Sequence, residues 1–361
     1  MLLAIETSCD ETAVAVFRLN DFAERNSLQE NLVADCIGSQ VTLHRPYGGV
    51  VPELAARAHI ANLPVLVEQA LGDAKCTVKD LQAIVVTGGP GLKGCLLVGL
   101  SFAKAVSFAS RIPLIVANHL EGHIAAGDLV GGIAYPLLSL VVSGGHTLLV
   151  ESEDFRKYRV VANTRDDAAG EAFDKIATLL GLPYPGGPHL SALAAEGDST
   201  RFVFPQPVRN DPASFSFSGL KTAAMRRVQA LGEERHDLQT KRDLAAGVEQ
   251  LIVESLVQKS LAACAVTKPK SFLLTGGVAA NAKLRTRLAS ELSRIGVPLV
   301  LPPPRWCTDN AAMIGALGLR IYNSRRDEFE SWDRSSVVPE FLGPGVPLEV
   351  DARAKWPLGI D

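Results

Sequence analysis

A repeated order of apolar strand, glycine-rich turn and amphipathic helix is the feature that most restricts how this chain can fold. Residues 83–86 are apolar and lead into a turn at 87–91, and residues 271–274 lead into a turn at 275–277 in the same way. Such alternation is typical of α/β lobes in which helices pack outside mixed sheets. We expect a ligand to bind in a cleft between two such lobes.

Two related hairpins indicate where the lobes begin. Residues 2–5 and 13–17 are apolar segments on either side of a polar turn, and residues 137–142 and 148–150 repeat this plan. The length of 361 residues is enough for two or three domains. The predicted organisation is a first lobe at 1–130, a second lobe at 131–325 with a helical insertion around 165–260, and a tail at 326–361 that packs back or is partly disordered.

Composition and charge are those of an ordinary globular protein. The 39 Asp and Glu residues nearly balance the 36 Lys and Arg residues, so the net charge of −3 does not predict a nucleic-acid partner. The six cysteines include no CxxC pair, which indicates thiols in a reducing compartment. The first residues lack a basic n-region, and the longest uncharged segment, 129–145, is interrupted by glycines and a proline. We therefore expect a cytoplasmic protein with no secretion signal and no membrane span.

Two histidines four residues apart form the most specific cluster of side chains. His119 and His123 follow the apolar segment 114–117, and Asn118 is a favourable helix N-cap. Residues four apart share one helix face, so both imidazoles can bind one ion. Asp309, at the start of a later helical pattern, would supply a third ligand and leave positions open for water or substrate. The alternative is a solvated histidine pair, with Asp309 serving only as a helix N-cap.

The position of Glu121 argues against a zincin-type protease. In the HExxH motif the catalytic glutamate directly follows the first histidine. Here Glu121 comes two residues after His119, which is about 200° around a helix at about 100° per residue. We therefore predict that Glu121 faces away from the ion.

Four Gly-Gly pairs are candidates for binding phosphate. They lie at 88–89, 144–145, 186–187 and 276–277. Glycine lets backbone N–H groups approach a phosphate closely, and a helix that follows adds the positive end of its dipole. A tight turn is the alternative for any one pair, but four pairs together favour a nucleotide-binding cleft. The chain contains no GxxxxGK[ST], which excludes a P-loop.

Seven motifs in a fixed order carry a family resemblance. They are IETSCDET at 5–12, GGVVPEL at 48–54, HLEGH at 119–123, VSGGHT at 142–147, DDAAGEAFDK at 166–175, FSFSGLKT at 215–222 and CTDN at 307–310. Together they resemble the TsaD family of bacterial tRNA threonylcarbamoyladenosine transferases, from the first residues to about residue 319. The resemblance implies an α/β fold of two lobes like those of actin and the sugar kinases.

The resemblance also implies a reaction and the residues that serve it. The reaction is transfer of threonylcarbamoyl from threonylcarbamoyl-AMP to N6 of the adenosine at tRNA position 37, in tRNAs that read codons beginning with A. The implied ligands of one divalent metal, Fe²⁺ or Zn²⁺, are His119, His123 and Asp309. The implied contacts to substrate and adenine nucleotide (threonylcarbamoyl-AMP, ATP or ADP) are Val142, Ser143, Gly144, Gly145, His146, Asp174, Gly187 and Asn281. For Asn281, an N-cap of the following helix is the alternative role.

Asp10 and Glu11, in the first polar turn, are the candidates for positioning groups or moving a proton, and either carboxyl can take this role. The partners implied by the resemblance are tRNA, TsaB, the ATPase TsaE and a TsaC-type enzyme that supplies threonylcarbamoyl-AMP. Two features depart from the family pattern: His189 stands where an aliphatic residue is expected, and the stretch 18–31 is longer than usual. They affect the expected shape of the substrate pocket and the surface of one lobe.

Two other functions compete with this interpretation. An ATP-dependent kinase or ATPase of the same fold would explain the glycine turns but not the histidine pair. A non-catalytic scaffold similar to the TsaB paralogue should lack the three metal ligands.

A basic stretch is the candidate tRNA-binding surface. Residues 268–305 carry seven Lys or Arg, including Arg285 and Arg287, and one Glu. Contacts of these cations with phosphate would make tRNA binding strongly dependent on salt. The alternative is a solvated helix face.

Overall fold

The structure is a computed structural model in which residues 1–19, 27–206, 211–332 and 341–359 are described. In chain order the strands are β1 (Leu2–Glu6), β2 (Glu11–Phe17), β3 (Leu32–Ser39), β4 (Ala83–Gly89), β5 (Leu114–Asn118), β6 (Leu137–Val142), β7 (Thr147–Asp154), β8 (Lys157–Thr164), β9 (Ser214–Phe215), β10 (Ser271–Thr275), β11 (Leu299–Val300), β12 (Phe341–Gly343) and β13 (Val346–Pro347). The helices are α1 (Val41–His44), α2 (Pro52–Asp73), α3 (Lys93–Ser110), α4 (His119–Val130), α5 (Ala169–Leu179), α6 (Gly186–Ala194), α7 (Ser218–Ala230), α8 (Leu238–Thr267), α9 (Ala282–Arg294), α10 (Pro304–Cys307), α11 (Ala311–Ser324) and α12 (Arg326–Glu330).

The chain forms two compact units. Unit 1 comprises Met1–Leu43, Val50–Gly132 and Arg305–Asp361, and unit 2 comprises His44–Gly49 and Ile133–Pro304. Each unit has its own mixed sheet flanked by helices, as the alternation of strands, turns and helices predicts.

Unit 1 is built on a sheet of strand order β3-β2-β1-β4-β5. Strand β1 pairs antiparallel with β2 and parallel with β4, and β4 pairs parallel with β5. Strands β1 and β4 are buried along their whole length because helices cover both faces of the sheet. Leu3 and Ile5 share a core cluster with residues of α2 and α3, whereas Phe17 and Val85 meet α11. Gly315 permits this close approach of α11, since a Cβ there would lie 2.1 Å from the Phe17 ring.

Unit 2 is built on a sheet of strand order β11-β10-β6-β7-β8-β9. The central strands β6 and β10 are parallel, and β6 forms an antiparallel hairpin with β7. Helix α8 contacts β6 and β7 and also packs against α6 and α9, while α5 packs against α6 and α7. Because β6 and β10 are parallel neighbours, the turns that follow them lie at the same edge of the sheet.

The division into units differs from the predicted lobes at the C-terminal end. Helix α11 packs against α4 and against β1, β2 and β4, so it belongs to unit 1 and not to the lobe predicted at 131–325. Apolar residues of the tail, Leu342, Ala352 and Trp356, are buried in unit 1. The predicted helical insertion corresponds to α5, α6, α7 and α8 of unit 2. Residues 333–340 and 360–361 of the tail, and 20–26 of the long stretch at 18–31, lie outside the described residues.

Helix α3 is the one helix among the described residues that is long and apolar enough to cross a membrane. Its buried residues Leu96, Leu100 and Ala103 belong to the core cluster of unit 1. Core helices of this kind commonly satisfy the same criteria, so α3 is weak support for a membrane span. All six cysteines are free thiols, as their scattered positions predict.

Candidate metal centre and substrate-binding turns

The histidine pair lies at the start of α4, directly after β5. The side chain of Asn118 caps the helix, since its Oδ1 accepts hydrogen bonds from the N–H groups of Leu120 (2.9 Å) and Glu121 (3.4 Å). The predicted N-cap is therefore confirmed. His119 and His123 lie one turn apart with ring centroids separated by 4.7 Å and ring planes at 82°. Both imidazoles are buried.

The structure brings Asp309 to this pair. Asp309 Oδ1 lies 3.2 Å from His123 Nε2 and 3.5 Å from His119 Nε2, because α11, which begins just after Asp309, packs against α4. The alternative that Asp309 is an N-cap is wrong. Asn310 caps α11 instead, and its Oδ1 accepts a hydrogen bond of 2.9 Å from Met313 N–H.

The three side chains fit a divalent ion. One donor atom from each of His119, His123 and Asp309 lies within 4.8 Å of the others. Both ring nitrogens of His123 are buried and make no hydrogen bond, although Nε2 is 3.2 Å from the Asp309 carboxylate. Leaving a buried polar atom without a partner costs about 1–3 kcal/mol, and an ion held at Nε2 would remove that penalty. Two imidazoles and one carboxylate suit zinc or ferrous iron and leave coordination positions open.

Burial and nearby carboxylates act differently on the two imidazoles. Burial alone lowers the pKa of His119, but the carboxylates of Asp309 and Glu6 outweigh it and raise that pKa to about 9. Burial dominates at His123 and holds its pKa below the ordinary value. The metal-free protein thus carries one protonated and one neutral imidazole at neutral pH, and binding of an ion must displace the proton of His119.

In the metal-free protein we expect the free energy of unfolding to fall as the pH rises from about 6.5 to about 9. The pKa of His119 is about 9 in the folded chain, against an ordinary value of 6.5, so the folded state binds this proton more tightly. The resulting stability is fully present below pH 6.5 and is lost as the pH passes about 9. Burial and Asp10 raise the pKa of Glu11 to about 10, which acts in the same direction. Urea unfolding in excess chelator measures the change, and a stability that rises with pH contradicts it.

The acidic turn lies close to the candidate metal ligands. Asp10 is buried, Glu11 begins β2, and the charges of Asp309 and Glu6 both contribute to the raised pKa of Glu11. Burial, followed by the neighbouring Asp10, is the main cause of that shift. Glu11 is therefore protonated at neutral pH and can donate a hydrogen bond.

His59 is a functional candidate that the sequence analysis missed. It is fully buried in α2, on the same stripe as Ala55 and Leu63. Its Nε2–H donates to the carbonyl oxygen of Cys9 (2.9 Å), and its Nδ1 accepts from the Thr12 hydroxyl (2.8 Å) and from the amide of Gln40 (3.3 Å). His59 thereby anchors the turn that carries Asp10 and Glu11. The sequence signal for His59 was a polar residue on the apolar face of a helix.

We expect His59→Leu to lower the free energy of unfolding by about 2–4 kcal/mol. Leucine removes the partners of the partly buried Cys9 carbonyl and the buried Thr12 hydroxyl, and a buried polar group that loses its partner costs about 1–3 kcal/mol. His59→Gln retains a donor and an acceptor and should cost less than half as much. Urea unfolding of both variants tests this, and equal losses would show that the hydrogen bonds contribute nothing.

The glycine turn of unit 2 follows β6. The N–H of Ser143 donates to the carbonyl oxygen of His146 (2.8 Å), and the Ser143 hydroxyl accepts from His146 N–H (3.1 Å), so the turn is closed by its own groups. Gly144 and Gly145 are exposed, and no other atom lies within 4 Å of where a Cβ would be. The turn therefore presents open backbone on which a phosphate or carbonyl group can be bound.

A second glycine turn lies beside the first. Gly276 follows the parallel strand β10 with a positive φ of 94°, and a Cβ there would lie 2.3 Å from the Val142 carbonyl oxygen. Gly170, near the start of α5, is equally close, with a Cβ position 2.6 Å from the Ser143 carbonyl oxygen. These contacts require glycine at both positions.

Asp174 and Asn281 both have structural hydrogen bonds in unit 2. Asp174 Oδ1 accepts from the N–H groups of Gly186 (2.8 Å) and Gly187 (3.2 Å) at the start of α6. Asn281 caps α9 by accepting from Leu284 N–H (2.8 Å), which confirms its predicted N-cap role. Its amide donates to Ser191 Oγ (2.9 Å) and to Glu249 Oε1 (2.7 Å). Their contacts with a nucleotide stay predictions. His189 is exposed on α6.

Two arginines of the basic stretch are already engaged within unit 2. Arg285 donates to the backbone carbonyl oxygens of Ala279 (2.5 Å) and Pro302 (2.7 Å). Arg287 pairs with Glu254 (3.0 Å) and Glu291 (2.9 Å), and these contacts raise its pKa. Substitution at either position would disturb these contacts as well as any tRNA contact.

Comparison with known proteins decides the family. The family model described as TsaD, tRNA N6-adenosine threonylcarbamoyltransferase, matches residues 31–316. The chain belongs to this family. A relative named tRNA N6-adenosine threonylcarbamoyltransferase from Synechococcus sp. (strain JA-3-3Ab) is 47% identical over 319 residues, covering 88% of this chain and 86% of the relative. One of the same name from Geobacter metallireducens is 42% identical over 359 residues, covering 99% and 97%.

Solved structures at low identity show the fold of this TsaD-family chain. HypF from T. kodakarensis superposes with a TM-score of 0.58 at 13% identity, over 89% of this chain and 48% of HypF. Component A of (R)-2-hydroxyglutaryl-CoA dehydratase from Acidaminococcus fermentans superposes with a TM-score of 0.50 at 16% identity, over 89% and 96%. The predicted α/β fold of the actin and sugar-kinase class is thereby confirmed.

Proposed function

We propose that this chain transfers the threonylcarbamoyl group of threonylcarbamoyl-AMP to N6 of the adenosine at tRNA position 37, in tRNAs that read codons beginning with A. The cluster of the buried His119 and His123 with the partly exposed Asp309 carries the proposal, together with membership of the TsaD family. Kinase or ATPase activity in this fold does not account for a buried histidine pair. A non-catalytic scaffold would have no need of three donor atoms that lie within 4.8 Å of one another.

The reaction joins an amine to an activated acyl group. The exocyclic amine of adenine is a weak nucleophile because its lone pair is delocalised into the ring, so the acyl group must already be activated as a mixed anhydride with AMP. The new bond forms between N6 and the carbamoyl carbon, the bond from that carbon to the phosphate oxygen breaks, AMP leaves, and N6 loses one proton. Bound Fe²⁺ or Zn²⁺ would supply Lewis-acid polarisation of the carbonyl group at this centre.

The chain's own groups are proposed to bind the donor and to move the proton. The open backbone from Ser143 to His146 would hold the phosphate of the adenylate, and Asp174, Gly187 and Asn281 would contact its nucleoside. In the metal-free chain burial and Asp10 raise the pKa of Glu11 to about 10, which favours the protonated form of this carboxyl. We assign the acceptance of the N6 proton to Asp10 and a hydrogen-bond donor role to Glu11.

We also propose the partners implied by the family. TsaB and the ATPase TsaE would act with this chain, a TsaC-type enzyme would supply threonylcarbamoyl-AMP, and the reaction would take place in the cytoplasm. The stretch at 268–305 is proposed to contact tRNA through its exposed cations Lys268 and Lys270 in place of Arg285 and Arg287.

The test is a reconstituted transfer assay. The purified chain, with TsaB and TsaE, is given preformed threonylcarbamoyl-AMP and unmodified tRNA, and the modified nucleoside is measured by mass spectrometry. A tRNA with guanosine at position 37 is the matched control. Modified adenosine in the first tRNA alone supports the proposal. Absence of transfer, with phosphate transferred from ATP to a small molecule, would favour the kinase alternative.

A further inference from the structure

Glu6 is a fully buried carboxylate beside the metal centre, and the proposed reaction gives it no role. It ends β1, and its Oε1 accepts a hydrogen bond of 2.5 Å from Ser8 N–H. Its Oε2 accepts a hydrogen bond of 2.5 Å from the Thr87 hydroxyl and lies 3.2 Å from His119 Nδ1. A buried carboxylate is retained only where donors satisfy both oxygens.

The sheet of unit 1 puts these groups together. Strand β1 pairs in parallel with β4 in a register that places Ile5 opposite Val86, so Glu6 and Thr87 follow side by side. Strand β4 pairs in parallel with β5, which leads directly into His119. All three side chains therefore meet at the carboxyl edge of the sheet.

The two nitrogens of His119 face different partners. Nδ1 lies against Glu6 Oε2 at 3.2 Å, while Nε2 lies 3.5 Å from Asp309 Oδ1 on the side of the metal ligands. A histidine that binds a metal through one nitrogen carries its hydrogen on the other, and an acceptor for that hydrogen fixes both the tautomer and the ring orientation. His123 has no such acceptor, since its Nδ1 is buried without a hydrogen bond.

We propose that Glu6 is the positioning residue of the metal centre: it accepts the Nδ1 hydrogen of His119 and thereby holds Nε2 toward the ion. Thr87 and Ser8 fix the carboxylate in turn. The Ser8 hydroxyl also lies 3.2 Å from His119 Nδ1, but a carboxylate is the stronger acceptor. The proposal rests on the metal centre of the proposed function and concerns binding of the ion, not transfer to tRNA.

Zinc affinity measures the role of Glu6 directly. Glu6→Gln keeps the size of the side chain and removes its charge, and we expect its dissociation constant for Zn²⁺, measured by competition with a chromophoric chelator, to rise about 10- to 100-fold. Glu121→Gln is the matched control, because Glu121 is an equally buried glutamate on the helix of His119 and is not one of the ligands. We expect its Zn²⁺ affinity to stay within about twofold of wild type.

Thermal unfolding of the metal-free variants separates positioning from structure. If Glu6→Gln lowers the melting temperature but binds Zn²⁺ as wild type does, Glu6 is only structural and the proposal is overturned. If the wild-type chain binds neither Zn²⁺ nor Fe²⁺, the metal centre itself fails. If the wild-type chain does not transfer threonylcarbamoyl to tRNA, but Glu6→Gln still binds Zn²⁺ more weakly than wild type, only the proposed function is contradicted.

A measurement on the wild-type chain covers the case in which Glu6→Gln does not fold. The chain is labelled with ¹⁵N-histidine, loaded with Zn²⁺, and its imidazole tautomers are read from long-range ¹H–¹⁵N correlations. We expect the hydrogen of His119 on Nδ1. A hydrogen on Nε2, or coordination of Zn²⁺ through Nδ1, overturns the proposal whatever the variants do.

Discussion

Asp309→Asn is expected to abolish bound metal and threonylcarbamoyl transfer together. Asparagine has the size of aspartate but lacks its charge, and Asp309 Oδ1 is the carboxylate oxygen that faces both Nε2 atoms. We expect metal affinity and the rate of transfer to fall by more than about 100-fold. Metal content by atomic spectroscopy and modified adenosine formed from preformed threonylcarbamoyl-AMP are the measurements. His123→Ala should behave in the same way.

Stability should distinguish the three ligands. Asp309 is partly exposed, and His123 has no hydrogen bond to lose, so these two variants should destabilise the metal-free chain less than His119→Ala does. Asp309→Asn should lose only the attraction between its carboxylate and protonated His119. His119→Ala removes one partner of the buried Glu6, and breaking a buried pair costs about 3–5 kcal/mol. Glu6 keeps its bonds from Ser8 and Thr87, which places the expected loss at the lower end of that range.

Glu121→Gln is the control for transfer, and it should retain most of the activity because Glu121 does not belong to the ligand cluster. The outcome that contradicts a catalytic metal is full transfer by the metal-free double variant His119→Ala/His123→Ala.

Gly276→Ala is expected to lower the free energy of unfolding by about 2–4 kcal/mol and to abolish transfer. The residue has a φ of 94°, which alanine rarely adopts, and its Cβ would lie 2.3 Å from the Val142 carbonyl oxygen. The strained backbone contributes about 1–3 kcal/mol, and the clash adds to it. Relief of the clash must move Val142 and hence the turn proposed to hold the phosphate. Urea unfolding and the transfer assay measure the two effects.

Gly277→Ala is the matched control for stability. It is the adjacent residue, its φ is not positive, and no atom lies within 4 Å of its Cβ position. We expect its free energy of unfolding to stay within about 0.5 kcal/mol of wild type. Equal destabilisation by both substitutions would show that the close approach to Val142 is not what requires glycine at 276.

The sequence by itself determined the features that depend on neighbours along the chain. Strand and helix periodicity gave two α/β halves, and the helix caps at Asn118 and Asn281 follow from side chains within three residues of the backbone groups they bind. The spacing of His119 and His123 placed both on one turn of a helix. Seven ordered motifs identified the family, and the position of Asp309 at the start of a helical pattern made it the candidate third ligand.

Only the tertiary structure decided the features that depend on packing between distant segments. Helix α11 lies in unit 1 because its glycines allow close contact with Phe17 and Val85, which no local pattern shows. Glu6 and Thr87 are 81 residues apart, and His59 and Cys9 are 50 apart. Strand order and helix packing bring the two residues of each pair together. Each then needs its partner, because a buried polar group without a hydrogen bond is costly in free energy.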